Sequence, residues 1–98
     1  MIKELFLGFI RIHILYHASK EPVYGLWLIE ELSHHDYKLS PGTLYPILHK
    51  LERDECLKSF SKLVDGKIRK YYQITSKGRK TLVEARGKVN DLVEEINE

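Results

Sequence analysis

The chain has 98 residues, of which 43% are hydrophobic and 31% are charged, and this composition excludes a disordered segment and a membrane-embedded protein. Its length allows one small hydrophobic core, so we expect a single domain over residues 1–98. The single cysteine excludes an internal disulfide, and a formal net charge of +2 does not by itself indicate a polyanionic partner. Because neither a signal-peptide pattern nor a bilayer-length apolar stretch is present, we expect a cytoplasmic protein without a membrane partner.

The charges are distributed unevenly along the chain. Residues 1–37 carry a net charge of −2, residues 38–80 carry +7, and residues 81–98 carry −3. A solvated lysine-rich surface would spread its charge more evenly. The concentration of positive charge in the middle segment indicates a surface that binds a polyanion.

The first predicted helix covers Ile2–Ala18 and is apolar around most of its circumference. A small protein cannot bury every side of such a helix in one core, so we expect one side to contact a second subunit. The candidate interface residues on this helix are Phe6, Phe9 and Ile10.

Two pairs of histidines raise the question of a metal site. His13 and His17 are four residues apart on the first helix, a spacing that metal sites use, and His34 and His35 precede Asp36. The sequence shows no obvious further ligand beside the first pair. We therefore expect no metal and no cofactor.

A second helix is predicted to begin near Pro22 and to cover Val23–His34. Gly25 lies inside it, where glycine costs about 1 kcal/mol relative to alanine. A close approach between two helices would explain this glycine.

The third predicted helix lies in Ser40–Leu57 and has two distinct faces. Its apolar face consists of Leu44, Ile47, Leu48 and Leu51, which recur at helical spacing and predict burial. Pro46 would deprive the Gly42 carbonyl of its helical hydrogen bond, so we expect the regular helix to start near Thr43 rather than at Pro41. The polar face carries the candidates for contact with DNA bases or phosphates: Thr43, His49, Lys50 and Arg53. The alternative is an ordinary solvated helix face.

A β-hairpin is predicted next, with strands Leu57–Leu63 and Lys67–Ile74 joined by the turn signal Asp65-Gly66. This turn pairs Leu57 with Ile74 and places Lys62 opposite Arg69. Like charges in this position destabilise a hairpin unless an anion binds near them. Lys58, Lys67 and Lys70 add further positive charge, which favours an anion site over two side chains that extend separately into water.

The last predicted helix covers Ser76–Asn97, is capped by Thr75, and is longer than a small core needs. Its apolar stripe includes Val89, Leu92, Val93 and Ile96, which we expect to pack on the first helix of a second copy of the chain. Cys56, just before the hairpin, is interpreted as a small buried hydrophobic residue rather than a redox sensor.

The predicted fold is therefore mainly α with a small β-hairpin. Its order corresponds to a winged helix-turn-helix over residues 1–75 followed by a dimerisation helix over residues 76–98. No glycine-rich phosphate loop, catalytic carboxylate pair or nucleophile motif is present, so an enzyme is not expected. The function predicted is sequence-specific binding of double-stranded DNA. The alternative is a winged-helix adaptor that binds another protein.

Four segments of the chain resemble the PadR family of transcriptional regulators: Pro22–Gly25, Leu39–Leu48, Leu51-Glu52 and Arg69–Gly78. The resemblance implies a homodimeric winged helix-turn-helix, usually a repressor, that binds an inverted-repeat operator. It places at the DNA Ser40, Gly42, Thr43 and Tyr45, together with the basic wing around Arg69 and Lys70. It also implies that Trp27, otherwise interpreted as a core residue, could line a pocket for a small aromatic effector.

The chain departs from this family at two positions. Leu26 stands where the family often has an aromatic residue, and Glu55-Cys56 stands where a glycine usually ends the recognition helix. Loss of a glycine at a helix C-terminus is expected to lower stability or to change the angle at which the chain enters the wing.

Overall fold

The computed structural model describes all residues from Met1 to Glu98 and contains four helices and one antiparallel hairpin. The elements in chain order are α1 (Ile2–Lys20), α2 (Gly25–Ser33), α3 (Pro41–Arg53), β1 (Leu57–Val64), β2 (Lys67–Ile74) and α4 (Ser76–Ile96). The mainly α fold with a small hairpin is confirmed. None of the four helices has both the length and the apolar character needed to cross a membrane.

The hydrophobic core joins all four helices to the base of the hairpin. It contains 16 buried residues, and the side chains with almost no exposed surface are Ile14, Leu28, Leu32, Leu44, Leu48, Leu57 and Tyr72. Cys56 is also buried and unpaired, as its interpretation as a small hydrophobic residue predicts. The apolar face of α3 is thus held inside while its other face stays outside.

The start of α2 differs from the prediction, because Val23 is not helical. The Val23 amide donates to the Tyr72 carbonyl at 2.8 Å, and the Tyr72 amide donates to the Val23 carbonyl at 2.7 Å. This pair forms an isolated bridge on the free edge of β2, and the helix begins only at Gly25. A β-branched residue after a proline is suited to this extended conformation.

The start of α3 also differs from the prediction, since the helix is regular from Pro41 rather than from Thr43. The amides of Thr43 and Leu44 both donate to the Ser40 carbonyl at 3.0 Å, which starts the first turn. Pro46 then removes one hydrogen bond to the carbonyl of Gly42, an exposed residue whose carbonyl water can reach. The proline is therefore tolerated without a later start.

The end of α3 is closed by a left-handed residue that is not glycine. Glu55 has a φ of +63°, its amide donates to the Glu52 carbonyl at 2.9 Å, and the Cys56 amide donates to the Leu51 carbonyl at 2.9 Å. These two bonds form a Schellman motif, in which glycine normally occupies the left-handed position. The chain keeps the geometry of the motif with a glutamate.

The hairpin register is the predicted one, with Leu57 opposite Ile74 and Lys62 opposite Arg69. Asp65 and Gly66 have φ values of +51° and +79°, as expected for a type I′ turn. Because side chains alternate along a strand, Lys70 lies on the opposite face from Arg69.

The helix α4 starts with the predicted cap, in which the Gly78 amide donates to the Thr75 hydroxyl at 2.9 Å. Leu82 is its last buried residue, so most of the helix is exposed in the single chain.

Candidate nucleic-acid interface

The exposed face of α3 carries the residues expected to contact DNA. Its exposed members are Ser40, Gly42, Thr43, His49, Lys50 and Arg53. The hydroxyls of Ser40 and Thr43 lie 3.3 Å apart at the exposed start of the helix. A helix N-terminus with hydroxyl groups beside it is suited to binding a phosphate.

The cationic side chains of α3 differ in whether they form an ion pair. The Lys50 ammonium lies 3.6 Å from an Asp54 carboxylate oxygen, and both side chains are about half exposed. Such an exposed pair contributes little to stability but partly neutralises the lysine. His49 and Arg53 have no ion pair. On the second half of the exposed α3 face, these two side chains are therefore available to bind a partner.

Tyr45 lies where α3 crosses the start of α2. A Cβ atom on Gly25 would collide with the Tyr45 hydroxyl and would lie 2.6 Å from the ring carbon that carries it. The close helix–helix approach predicted for Gly25 is therefore confirmed. Tyr45 is half-buried in this contact.

A groove of about 550 Å³ separates this helix pair from the wing. Tyr24, Gly25 and Tyr45 line one side of it, and the basic residues of β2 line the other: Lys67, Arg69 and Lys70. The Arg69 guanidinium stacks over the Tyr24 ring at 4.0 Å from its centroid. Tyr24 was not among the predicted site residues, and the only signal for it is an aromatic residue directly before the tightly packed Gly25.

The wing carries more positive charge than its own acidic residues neutralise. Lys62, Lys67 and Arg69 lie on one face of the hairpin and Lys70 on the other, and none of the four has an ion pair. The like-charged Lys62 and Arg69 are held directly opposite each other. An anion between the wing and α3 would stabilise this arrangement.

Comparison with known proteins identifies the family of this chain. The family model described as the transcriptional regulator PadR-like family matches residues 14–84. The chain belongs to the PadR-like family.

The alignments with similar proteins extend over nearly the whole of this PadR-like chain. A relative named transcriptional regulator Rv3488, from Mycobacterium tuberculosis, is 45% identical over 95 residues, which cover 97% of this chain and 89% of the relative. A PadR-like transcription factor from Bacteroides fragilis has a TM-score of 0.84 at 31% identity, with 97% and 93% of the two chains covered. A PadR-like transcriptional regulator from Bacillus cereus has a TM-score of 0.86 at 31% identity, with 96% and 93% covered. The chain is accordingly a DNA-binding transcriptional regulator with a winged-helix fold.

The expected dimer surface of this PadR-like chain is largely exposed in the single copy. Phe6, Leu92, Val93 and Ile96 are between 45% and 69% exposed, Val89 is 37% exposed, and Phe9 is half-buried. Ile10 is an exception, because it is only 3% exposed and belongs to the core of its own chain. Ile10 therefore has almost no surface left for a partner in the single chain.

Trp27 is neither a core residue nor part of a large cavity. Its side chain is 37% exposed, and its ring lies edge-on to His17 at 5.3 Å between centroids. The pocket beside it, shared with Glu30, Glu31 and His34, has about 160 Å³. Small-molecule sites usually have about 300 Å³ or more.

A larger cavity of about 460 Å³ lies between α1, the turn after α2, and α4. Three histidines line it, and their ring nitrogens lie within 4.8 Å of one another: His13, His17 and His35. Burial is the main cause that lowers the pKa of both His13 and His17, which favours the neutral form of both imidazoles. The sequence pattern grouped His35 with His34 and Asp36, whereas the packing of the turn on α1 brings it to His13 and His17.

Proposed function

We propose that this PadR-like regulator is a repressor that binds an inverted-repeat operator as a homodimer. The observation that carries the proposal is the location of the exposed polar face of α3 beside the cationic groove of the wing. A helix with this face fits the major groove of DNA, and the wing then meets the phosphate backbone.

The phosphate contacts are assigned to the exposed start of α3 and to the wing cations that form no ion pair within the chain. Ser40, Gly42 and Thr43 offer the helix N-terminus, and the wing contributes Lys62, Lys67, Arg69 and Lys70. Phosphate contacts fix the position of the protein on the duplex and are sensitive to salt. Tyr45 lines the groove beside the wing, and its hydroxyl is assigned to the same backbone.

The base contacts are assigned to the second half of α3. Arg53 and His49 are exposed and free of ion pairs, and their donors can reach base edges in the major groove. Lys50 is partly neutralised by Asp54 and is better suited to a phosphate than to a base.

The exposed apolar residues at the two ends of the chain support the proposal of a homodimer. A contact of α1 and α4 with the same surface of a second copy would have twofold symmetry. A symmetric dimer presents two recognition helices and reads an inverted repeat. Repression needs only that this dimer occupies its operator, which excludes the transcription machinery. The expected location in the cytoplasm is part of the same proposal.

The experiment is selection of the purified chain against random duplex DNA at two salt concentrations. The expected result is an enriched inverted repeat with half-sites about one helical turn apart, whose affinity falls steeply with salt. Weak binding without sequence enrichment would contradict the proposal. It would favour the adaptor function, for which Leu63 and Ile68 at the wing tip, 70% and 78% exposed, offer an apolar contact surface.

A small aromatic effector remains a separate part of the proposal. Trp27 is the only tryptophan, so its fluorescence reports on its surroundings without interference. Titration with flat aromatic compounds should quench it when one binds near α2. Unchanged emission with every compound would remove Trp27 from the effector site.

A further inference from the structure

The three histidines His13, His17 and His35 come from two parts of the chain that the fold holds together. His13 and His17 lie one turn apart on α1, with ring centroids 6.4 Å apart and planes at 13°. His35 lies in the turn after α2, and its ring centroid is 4.5 Å from that of His13. We name these three residues the histidine cluster.

The turn that carries His35 is closed by its own hydrogen bonds. Asp36 has a φ of +66°, its amide donates to the Ser33 carbonyl at 3.1 Å, and the Tyr37 amide donates to the Leu32 carbonyl at 3.1 Å. Leu32 is fully buried in the core. The backbone of His35 is therefore fixed relative to α1, and only its exposed side chain needs to adjust.

One nitrogen of the cluster has no use in the fold. The Nε2 atom of His17 is buried from solvent and has no hydrogen-bond partner in the chain. Leaving a buried polar atom unpaired costs about 1–3 kcal/mol. A ligand that accepts the lone pair of this nitrogen would remove that cost.

From this geometry we propose that the histidine cluster is a binding site for a divalent transition-metal ion that prefers imidazole ligands, such as Zn²⁺. Three histidine nitrogens are sufficient protein ligands for zinc when a water or another ligand takes the fourth position. Nitrogens bound to one tetrahedral Zn²⁺ lie about 3.4 Å apart, given zinc–nitrogen bonds of about 2.0–2.1 Å. Rotation of the side chains, chiefly that of the exposed His35, closes the difference from the observed separations of up to 4.8 Å.

The surroundings of the cluster leave room for a fourth ligand. All three histidines line the cavity of about 460 Å³, whose opposite wall includes Arg86 and Asn90 of α4. The Arg86 side chain is exposed and can turn away from a cation, while the carboxylate of Glu31 favours positive charge at His13 and His17. The bound ion would tie α1 to the turn that leads into α3. This site does not depend on the proposed repressor function.

The test is titration of the full chain, freed of metal, with Zn²⁺ alone. Trp27 fluorescence serves as the readout because its ring lies 5.3 Å from His17, and equilibrium dialysis gives the stoichiometry. We expect one ion per chain and a raised thermal unfolding midpoint at saturation. We expect His35→Gln, which alters an exposed side chain and spares the core, to weaken zinc binding at least about tenfold.

Two control variants separate the cluster from other zinc ligands. His34→Gln changes the neighbouring exposed histidine, which pairs with Glu31 at 3.5 Å, and Cys56→Ala removes the only thiol. Both should bind Zn²⁺ as the unchanged chain does. The proposal is overturned if the unchanged chain binds no zinc, if His35→Gln binds it equally well, or if Cys56→Ala abolishes binding.

Discussion

Glu55 is the residue where local geometry and side-chain type conflict most clearly. It holds the left-handed position of the Schellman motif that ends α3, although a left-handed conformation costs a residue with a Cβ about 1–2 kcal/mol. The motif persists because Cys56 and Leu51 are both buried next to it and their backbone groups are bonded. The position thus keeps the wing in place at a local cost to stability.

Glu55→Gly should raise the free energy of unfolding by about 1 kcal/mol. Glycine removes the strain at positive φ, and the larger freedom of glycine in the unfolded chain offsets part of the gain. Urea unfolding monitored by circular dichroism measures the change. Glu55→Ala is the matched control, because it removes the same carboxylate but keeps a Cβ, and it should give no comparable gain. Equal stabilisation by both variants would locate the effect in the charge of Glu55.

At the scale of elements, most of the helices and strands could be predicted because their hydrophobic periodicity is strong. The hairpin register followed from Asp65-Gly66 alone, and the cap of α4 followed from Thr75. The two wrong helix starts have different causes. A tertiary contact delays the start of α2, whereas α3 starts at Pro41 because water can reach the Gly42 carbonyl that Pro46 leaves without a helical hydrogen bond. Val23 pairs with Tyr72 instead of starting α2, and no local sequence pattern indicates that partner.

The candidate site was predictable to the extent that it lies on single elements. The polar face of α3 and the charge of the wing are readable from spacing. Tyr24 was missed because its role depends on Arg69, which lies far away in the chain. His35 was grouped with His34 instead of His13 for the same reason, since only the fold brings it to α1. The burial of Ile10 in its own core could not be predicted, because a helix that is apolar on most sides does not reveal which side that core covers.

The wing should contribute to DNA affinity by a similar amount for every duplex sequence. Lys62→Ala and Arg69→Ala should weaken binding to every duplex, and each lost phosphate contact should lower the slope of log affinity against log salt by about 0.9. Arg53→Gln should instead change which bases are enriched, at a cost of about 1–3 kcal/mol for the preferred site. Binding isotherms at several salt concentrations distinguish the two effects.

Lys88→Ala provides the control for these variants, because it removes one exposed cation from α4 outside the proposed interface. If it reduces DNA affinity as much as Lys62→Ala does, the wing has no special role. If Arg53→Gln leaves the enriched sequence unchanged, α3 does not read bases through this residue.

The helix α1 should make the stability of the metal-free chain depend on pH. Burial holds the pKa of His13 and of His17 below the ordinary value of 6.5. The charge of His35 lowers both pKa values further, and the charge of His17 also lowers the pKa of His13. The carboxylate of Glu31 raises both pKa values and so opposes these effects. The unfolded chain therefore binds more protons than the folded chain just below pH 6.5. The stabilisation is fully present above that pH and is lost as the pH falls toward the lowered values.

Unfolding in the presence of a chelator, at steps from about pH 7.5 to about pH 5, measures this dependence. The double variant His13→Gln, His17→Gln should show a flatter decline than the unchanged chain, whatever its absolute stability. His34→Gln should retain the full decline. An unaltered pH dependence in the double variant would place the responsible groups elsewhere.

At the scale of the whole molecule, the chain is elongated and leaves much of α4 without cover. Its principal extents are 54 × 28 × 20 Å, and α4 by itself spans about 30 Å. Leu92, Val93 and Ile96 form an exposed apolar stripe on this helix. A second copy of the chain is the occupant that the proposed function requires.

Leu92→Glu should therefore convert the dimer into a monomer and keep the fold, because this side chain is 52% exposed in the single chain. Operator affinity should fall about 100-fold or more once the two recognition helices are no longer linked. Analytical ultracentrifugation and operator binding measure the two effects. Val83→Glu, at a residue of α4 that is 65% exposed and outside the expected interface, should stay dimeric. A dimeric Leu92→Glu variant would contradict the assigned surface.

The pairing of Val23 with Tyr72 has a consequence for how the molecule reaches DNA. The wing strand is bonded to Val23, two residues before the start of α2, and α2 in turn packs against Tyr45 of α3. The parts that we propose to contact DNA therefore form one rigid body, and their conformational entropy is already lost when the chain folds. Docking should order few additional residues. Its unfavourable entropy should then be small, and the heat-capacity change should reflect the contact surface alone.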